Sequence, residues 1–240
     1  MHPEHEHLLQ EIRGAAKPAS HGGFDLAAYS GSPHAFHGLS VPDRRAIARA
    51  WRANHKAMPA GQLVEVLDSL FAGASHDEKT VATMLLALHR TARQEMGPDN
   101  VDHWLGRLVG WAEVDSLCQN IFTAEEMLAD WPAWGGLIER LAGDANINKR
   151  RAALVLLVGP VRCSDDERFA TLALANVEWL KAERDILITK AVSWLLRSLI
   201  ARHRGRLTAY LEENDPSLPR IAVRETRAKL QTGRKGKLRV

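Results

Sequence analysis

A chain of 240 residues, 45% of them apolar, is long enough for one large domain or two small ones with ample material for a core. It holds no uninterrupted apolar run of the roughly eighteen residues that a membrane-spanning helix needs, so no membrane partner is expected. The net charge of +3 hides an asymmetry: residues 1–180 carry 17 Lys/Arg against 23 Asp/Glu, whereas residues 181–240 carry 15 against 6. That imbalance points to an anionic partner, nucleic acid first, with a solvated basic tail as the plain alternative.

In chain order the start, "MHPEHEHLLQEIR", lacks the basic-then-apolar layout of a signal peptide and runs straight into an amphipathic pattern. Apolar residues then recur at spacings of three and four in "HLLQEIRGAA", "PDRRAIARAWRANHK", "GQLVEVLDSLFAG", "DEKTVATMLLALHRTARQEM" and "NVDHWLGRLVG". The pattern continues through "WAEVDSLCQN", "WGGLIERLAG", "NKRRAALVLLVGPV" and "DERFATLALANVEWLKAE". It closes with "DILITKAVSWLLRSLIARH", "RLTAYLEEN" and "PRIAVRETRAKLQ". Breaks fall at Pro42-Asp43, Pro59, His76-Asp77, Pro98-Asp99, Asp165-Asp166 and Pro216, where helix starts and stops are expected. Only residues 17–41 read as a long irregular piece, and "TGRKGKLRV" reads as a disordered basic tail over 231–240. The expectation is an all-α protein of about a dozen helices, with one domain over residues 1–230.

"RAALVLLV" aligns with "KAVSWLLR", Arg151 over Lys190, at an offset of 39 residues, and "KTVATMLLALHR" from Lys79 has the same form. Each sets a basic residue before a helix apolar nearly all round, and such helices must be sandwiched between neighbours. A period near forty with paired helices signals a HEAT-like solenoid whose concave, partly basic face offers an extended binding surface. A compact orthogonal bundle is the alternative.

"NINKRRAAL" places Lys149, Arg150 and Arg151 in a first turn, where the helix dipole is already positive. A phosphate reverses that penalty, because backbone N–H groups and guanidinium forks converge on it. Ion pairing with an acid such as Asp144 is the competing reading. Of the seven tryptophans, Trp51, Trp104, Trp131, Trp134 and Trp179 read as packing groups. Trp194 is flanked by Lys190 and Arg197 at minus four and plus three, which suits stacking beside a phosphate track. Trp111 has Asp115 one turn on, at the edge of an apolar arc, where a carboxylate is costly unless used. Glu113 is expected on the opposite, solvent side. Asp115 also has a structural reading, as a helix cap or a salt-bridge partner.

Other constellations are weaker. His2, His5, His7, His34 and His37 read as solvated, and no metal-type spacing, P-loop, Rossmann fingerprint or Gly-x-Ser-x-Gly occurs. Cys118 and Cys163 read as free thiols of a reducing cytoplasm.

Taken together, "YSGSPHAFHGLSVPDRR", "WAEVD", "NINKRRAALVLLVGPVR" and "ITKAVSWLLR" resemble the AlkD-type branch of the alkylpurine DNA glycosylases, over about Tyr29 to Arg224. The resemblance implies a HEAT-like stack that takes duplex DNA in its concave face and hydrolyses the glycosidic bond of cationic N3- or N7-alkylpurines. It implies no metal or organic cofactor, and the protein is expected to act as a monomer in the cytoplasm. By motif, Asp115 and Trp111 match the catalytic acid and its partner tryptophan. Trp194 matches a second site aromatic, Arg150 a backbone-binding arginine, and Tyr29 the aromatic at the front of the cleft. Lys149, Arg151, Lys190 and Arg197 complete the expected phosphate contacts. Ala112, Asn148 and Ser193 depart from the family pattern, which commonly has Asp, an aromatic and Gly there. A non-catalytic HEAT-like DNA-binding module and a protein–protein scaffold are the alternatives.

Overall fold

The computed structural model describes residues 1–16, 25–119 and 121–235. Part of the expected irregular segment, residues 17–24, thus lies outside the described residues, as do Asn120 and residues 236–240 of the expected tail. Among the described residues all regular structure is helical, apart from an isolated bridge between Ala35 and Ser75. The chain forms two compact units, Met1–Leu117 and Cys118–Val240.

The first unit contains α1 (Pro3–Gly14), α2 (Leu26–Ser30), α3 (Val41–Asn54), α4 (Ala60–Phe71), α5 (His76–Leu88), α6 (Arg90–Gln94), α7 (Pro98–Leu105) and α8 (Trp111–Cys118). Ser40 and Ser75 open α3 and α5 with capping boxes completed by Asp43 and Glu78. Helices α1, α3 and α4 pack around α5, whose residues His76–Thr83 are all buried. Lys79, basic at the start of α5, is buried and donates to the carbonyls of Phe71 and Gly73 at 2.7 and 2.9 Å. It therefore satisfies orphan carbonyls at the end of α4. The single helix expected over 77–96 is broken at His89, whose ring contacts the carbonyls of Leu85 and His55. Two of the histidines expected in solvent are structural instead. His5, buried, bridges Ser69 at 2.8 Å and Glu78 at 2.7 Å, and His34 reaches Glu113 at 3.0 Å.

The second unit contains α9 (Ala124–Ala129), α10 (Trp131–Ala142), α11 (Ile147–Val158), α12 (Pro160–Cys163), α13 (Glu167–Leu180), α14 (Ile186–Leu199), α15 (Arg204–Asn214) and α16 (Arg220–Thr232). Helix α11 is buried from Arg151 to Val158 without a gap, against α10, α13 and α14. The all-round apolar pattern made that burial unavoidable. Helix α14 in turn packs on α16.

Side-chain ties between neighbouring helix pairs recur at nearly constant separation. In the first unit Trp104 Nε1 donates to Asp68, 36 residues back, at 2.6 Å, and Arg44 donates to Thr80, also 36 away. In the second, Arg206 donates to Glu167, 39 residues back, and Lys229 to the carbonyl of Arg197, 32 back. The spacing is that of a helical repeat in which each pair stacks on the next. Two short helices escaped the periodicity because neither spans two turns. Helix α2 is held by its Asp25 cap and left-handed Gly31, and α9 by a Thr123–Glu126 capping box.

Candidate functional site

In the first unit the expected site residues gather around the start of α8. Trp111 and Asp115, one turn apart, are both half-buried. The indole Nε1 of Trp111 donates to the carbonyl of Tyr29 at 2.6 Å, and the two rings meet edge to face with centroids 5.3 Å apart. Tyr29 itself is 59% exposed. Three of the expected residues thus share one partly open patch, with an aromatic pair beside a carboxylate.

Close backbone approach makes this patch possible. Gly110 has φ +82°, and a Cβ there would lie 2.3 Å from the carbonyl oxygen of Ser30 and 2.6 Å from Gly31. No side chain fits between the 30–31 turn and the residue before Trp111. We expect Gly110→Ala to lose at least about 2 kcal/mol of stability in urea denaturation, from backbone strain and displacement of the turn together.

Glu113 corrects the sequence reading. It is 0% exposed, while Trp111 and Asp115 occupy the open side of the helix. Its carboxylate accepts from Ser32 Oγ at 2.6 Å and from the Val109 N–H at 2.9 Å, and it contacts His34 at 3.0 Å and His76 at 3.3 Å. Burial alone raises its pKa, but the hydrogen bonds of His76, Ser32, the Val109 amide and His34 outweigh it and hold the group at about 2. The misplacement has a simple cause. Leu117, one turn after Glu113, draws the buried arc towards that side, and Trp111 is left at the opposite rim. His34 of "SPHAFHG" and His76 were the available signal for a buried acid.

In the second unit Lys190 is exposed and Trp194, one turn on, is half-buried. Arg197, expected to complete an open cationic face, is instead 9% exposed and ion-paired with Glu225, which also accepts from Ser193 at 2.7 Å. A guanidinium near the helix–helix seam is cheaper paired than open. Arg150 forks onto Glu183 at 2.7 and 3.2 Å and onto the carbonyls of Asp144 and Ala145. Lys149 lies 3.8 Å from Asp144, and Arg151, buried, donates to the carbonyl of Leu187. The first-turn cations of α11 are therefore engaged by neighbouring acids and carbonyls, the competing reading of that motif.

Two features escaped the sequence reading. Trp179, expected to pack, is 71% exposed, because the buried stripe Phe169, Ala173, Val177 and Leu180 lies elsewhere on α13. Arg220, Arg224 and Arg227 are exposed at spacings of four and three along α16. That i, i+4, i+7 pattern was legible as a basic ridge. Among the described residues no cluster of metal-ligating side chains occurs, and no helix is long and apolar enough to cross a membrane.

Stacked helix pairs, with an aromatic–carboxylate patch in one unit and a lysine–tryptophan face in the other, define an all-α helical-repeat protein. A family model, that of the DNA alkylation repair enzymes, matches residues 9–230, and the chain belongs to that family. A solved structure described as a predicted DNA alkylation repair enzyme from Enterococcus faecalis shares the fold, with a TM-score of 0.70. It is 18% identical, over 86% of this chain and 93% of that one. No curated protein matches the chain.

Proposed function

We propose that the protein is a HEAT-like, monomeric DNA glycosylase that removes cationic N3- or N7-alkylated purines from duplex DNA. The observation that carries this reading is the pairing of Asp115 with the anchored Trp111 on the open side of α8, beside exposed Tyr29. An alkylated purine already bears a positive charge, so it leaves as a neutral base and needs no general acid, unlike ordinary glycosides. The C1′–N bond breaks with its electron pair going to the base. The deoxyribose becomes oxocarbenium-like, and water adds at C1′ and releases a proton.

The Asp115 carboxylate opposes the cationic sugar and orients that water, while Trp111 shields the charge pair from solvent. Trp194 and Lys190 supply aromatic and cationic contacts to the duplex, with Tyr29 as a further contact, while Lys149 and Arg150, engaged by Asp144 and Glu183, brace the start of α11. Arg151 and Arg197 hold the helices that carry them.

The test is a single-turnover incubation with duplex DNA bearing one N7-methylguanine, scoring free base and abasic sites. Release well above the spontaneous rate supports the reading. Salt-dependent duplex binding without release from that adduct or from N3-methyladenine replaces it with a DNA-binding module. Lys190→Ala should weaken duplex binding a few-fold and reduce the salt slope of log K by about 1, as expected for one lost phosphate contact.

A further inference from the structure

We propose that Glu113 is a positioning residue for the patch around Trp111: its buried carboxylate fixes the 29–34 segment, and with it Tyr29, against the face of α8 that presents Trp111 and Asp115. The inference rests on the function proposed above for its kinetic consequence, but its structural half stands without it. Glu113 is fully buried although it directly follows half-buried Trp111 and Ala112. Its two oxygens collect contacts from three separate pieces of chain: Ser32 and His34 from the segment after α2, the Val109 amide from the turn before α8, and His76 from the start of α5.

Glu113 joins these three pieces through one carboxylate. The segment carries its own anchors further along, where the amide of His76 donates to the Ala35 carbonyl at 2.8 Å and that of His37 to Asp77 at 2.7 Å. Phe36 stacks on His76 with centroids 4.6 Å apart. These hold residues 35–37 to α5. The link from that anchored end to Tyr29 runs through Ser32 and His34, and both end on Glu113. At the near end the Tyr29 carbonyl accepts the Trp111 indole at 2.6 Å. A single carboxylate therefore sits behind both sides of the aromatic pair, on the helix that bears one ring and against the segment that bears the other.

A buried carboxylate that accepts several donors is costly to alter, since each donor left unmet loses its partner in a dry environment. Glu113→Gln keeps the size and one carbonyl oxygen, but turns an NH2 group towards groups that now donate. The segment must shift to relieve that conflict, and a shift of about 1 Å at a reacting centre is enough to lower a chemical rate about 100-fold without touching binding.

The experiment labels the protein with 5-fluorotryptophan and assigns the Trp111 line in the 19F spectrum by its loss in Trp111→Phe. In Glu113→Gln that line is expected to shift or broaden while the line of Trp134, assigned in the same way, stays in place. Single-turnover base release should fall at least 10-fold with duplex affinity within 2-fold of wild type. Asp68→Asn, which weakens the hydrogen bond to Trp104 in the same unit, serves as the stability control and should leave the rate and the Trp111 line unchanged. If Glu113→Gln does not fold, Ser32→Ala removes one donor only and should move the same line in the same direction.

An unmoved Trp111 line and an unchanged rate in a folded Glu113 or Ser32 variant overturn the proposal. Equal effects in Asp68→Asn also overturn it, since they reduce Glu113 to general stability. Should wild type release no base, the glycosylase reading fails, and the Trp111 line alone still decides whether Glu113 sets this patch.

Discussion

Asp115→Asn is expected to slow base release by roughly 10²- to 10³-fold in a single-turnover assay while leaving duplex affinity within a factor of two. The substitution preserves size and shape, removes the charge and turns one acceptor oxygen into an NH2 donor. In the proposed reaction that charge faces a cationic sugar, and deleting one preorganised electrostatic partner of a transition state typically costs about 2.7–4 kcal/mol. Binding should survive, because the ground-state substrate carries its positive charge on the base, whereas the transition state moves it to C1′. Trp111→Phe should have a smaller effect, since the ring remains but the indole bond to the Tyr29 carbonyl is lost. Equal rates for wild type and Asp115→Asn would remove Asp115 from the chemistry while leaving the family assignment intact.

Acid should unfold the first unit through two buried carboxylates that do not touch the reacting atoms. Glu78 and Glu113 are both held at about 2, from an ordinary 4.5. For Glu78, burial raises the value, and the hydrogen bonds from His5 and from the Ser75 hydroxyl and amide more than offset it. Each folded-state pKa lies below the unfolded one, so the stabilisation is complete above about pH 5 and is lost as pH falls through about 4.5 towards 2. At 1.36 kcal/mol per unit, each group contributes on the order of 3 kcal/mol at neutral pH. That is a large part of the stability of an ordinary domain. Urea titrations at pH 7, 5 and 3 should therefore show little change over the first interval and a loss of several kcal/mol over the second. Glu78→Gln and Glu113→Gln should each lower stability at pH 7 and flatten that acid dependence. An unfolding free energy that stays level down to pH 3 would falsify the assignment of both groups as depressed.

Much of the fold was legible because its determinants are local. The apolar spacing marked most of the long helices, Pro42-Asp43 announced the start of α3, and Pro98 that of α7. Burial of α11 followed from its lack of any polar face. Trp111 and Asp115 stood out because a carboxylate beside a tryptophan at the rim of an apolar arc is conspicuous in one dimension. Trp194 and Lys190 share a face by spacing alone.

What failed depended on residues far apart in sequence. Glu113 was expected in solvent because it lies opposite the apolar arc read along its own helix, yet Ser32 and His34, 81 and 79 residues away, fill its surroundings. Arg197 was read as an open cation because Glu225 lies two helices on. Arg150 finds Glu183 in the same way, 33 residues later. The sequence alone determined helix content, the repeat and the placement of Trp111 beside Asp115, because hydrogen bonding and apolar period act within a few residues. Only the tertiary structure decided which charges are spent inside the protein and which remain available. The reason is that the worth of a charge is set by its dielectric surroundings and its partners, and both arrive from other helices.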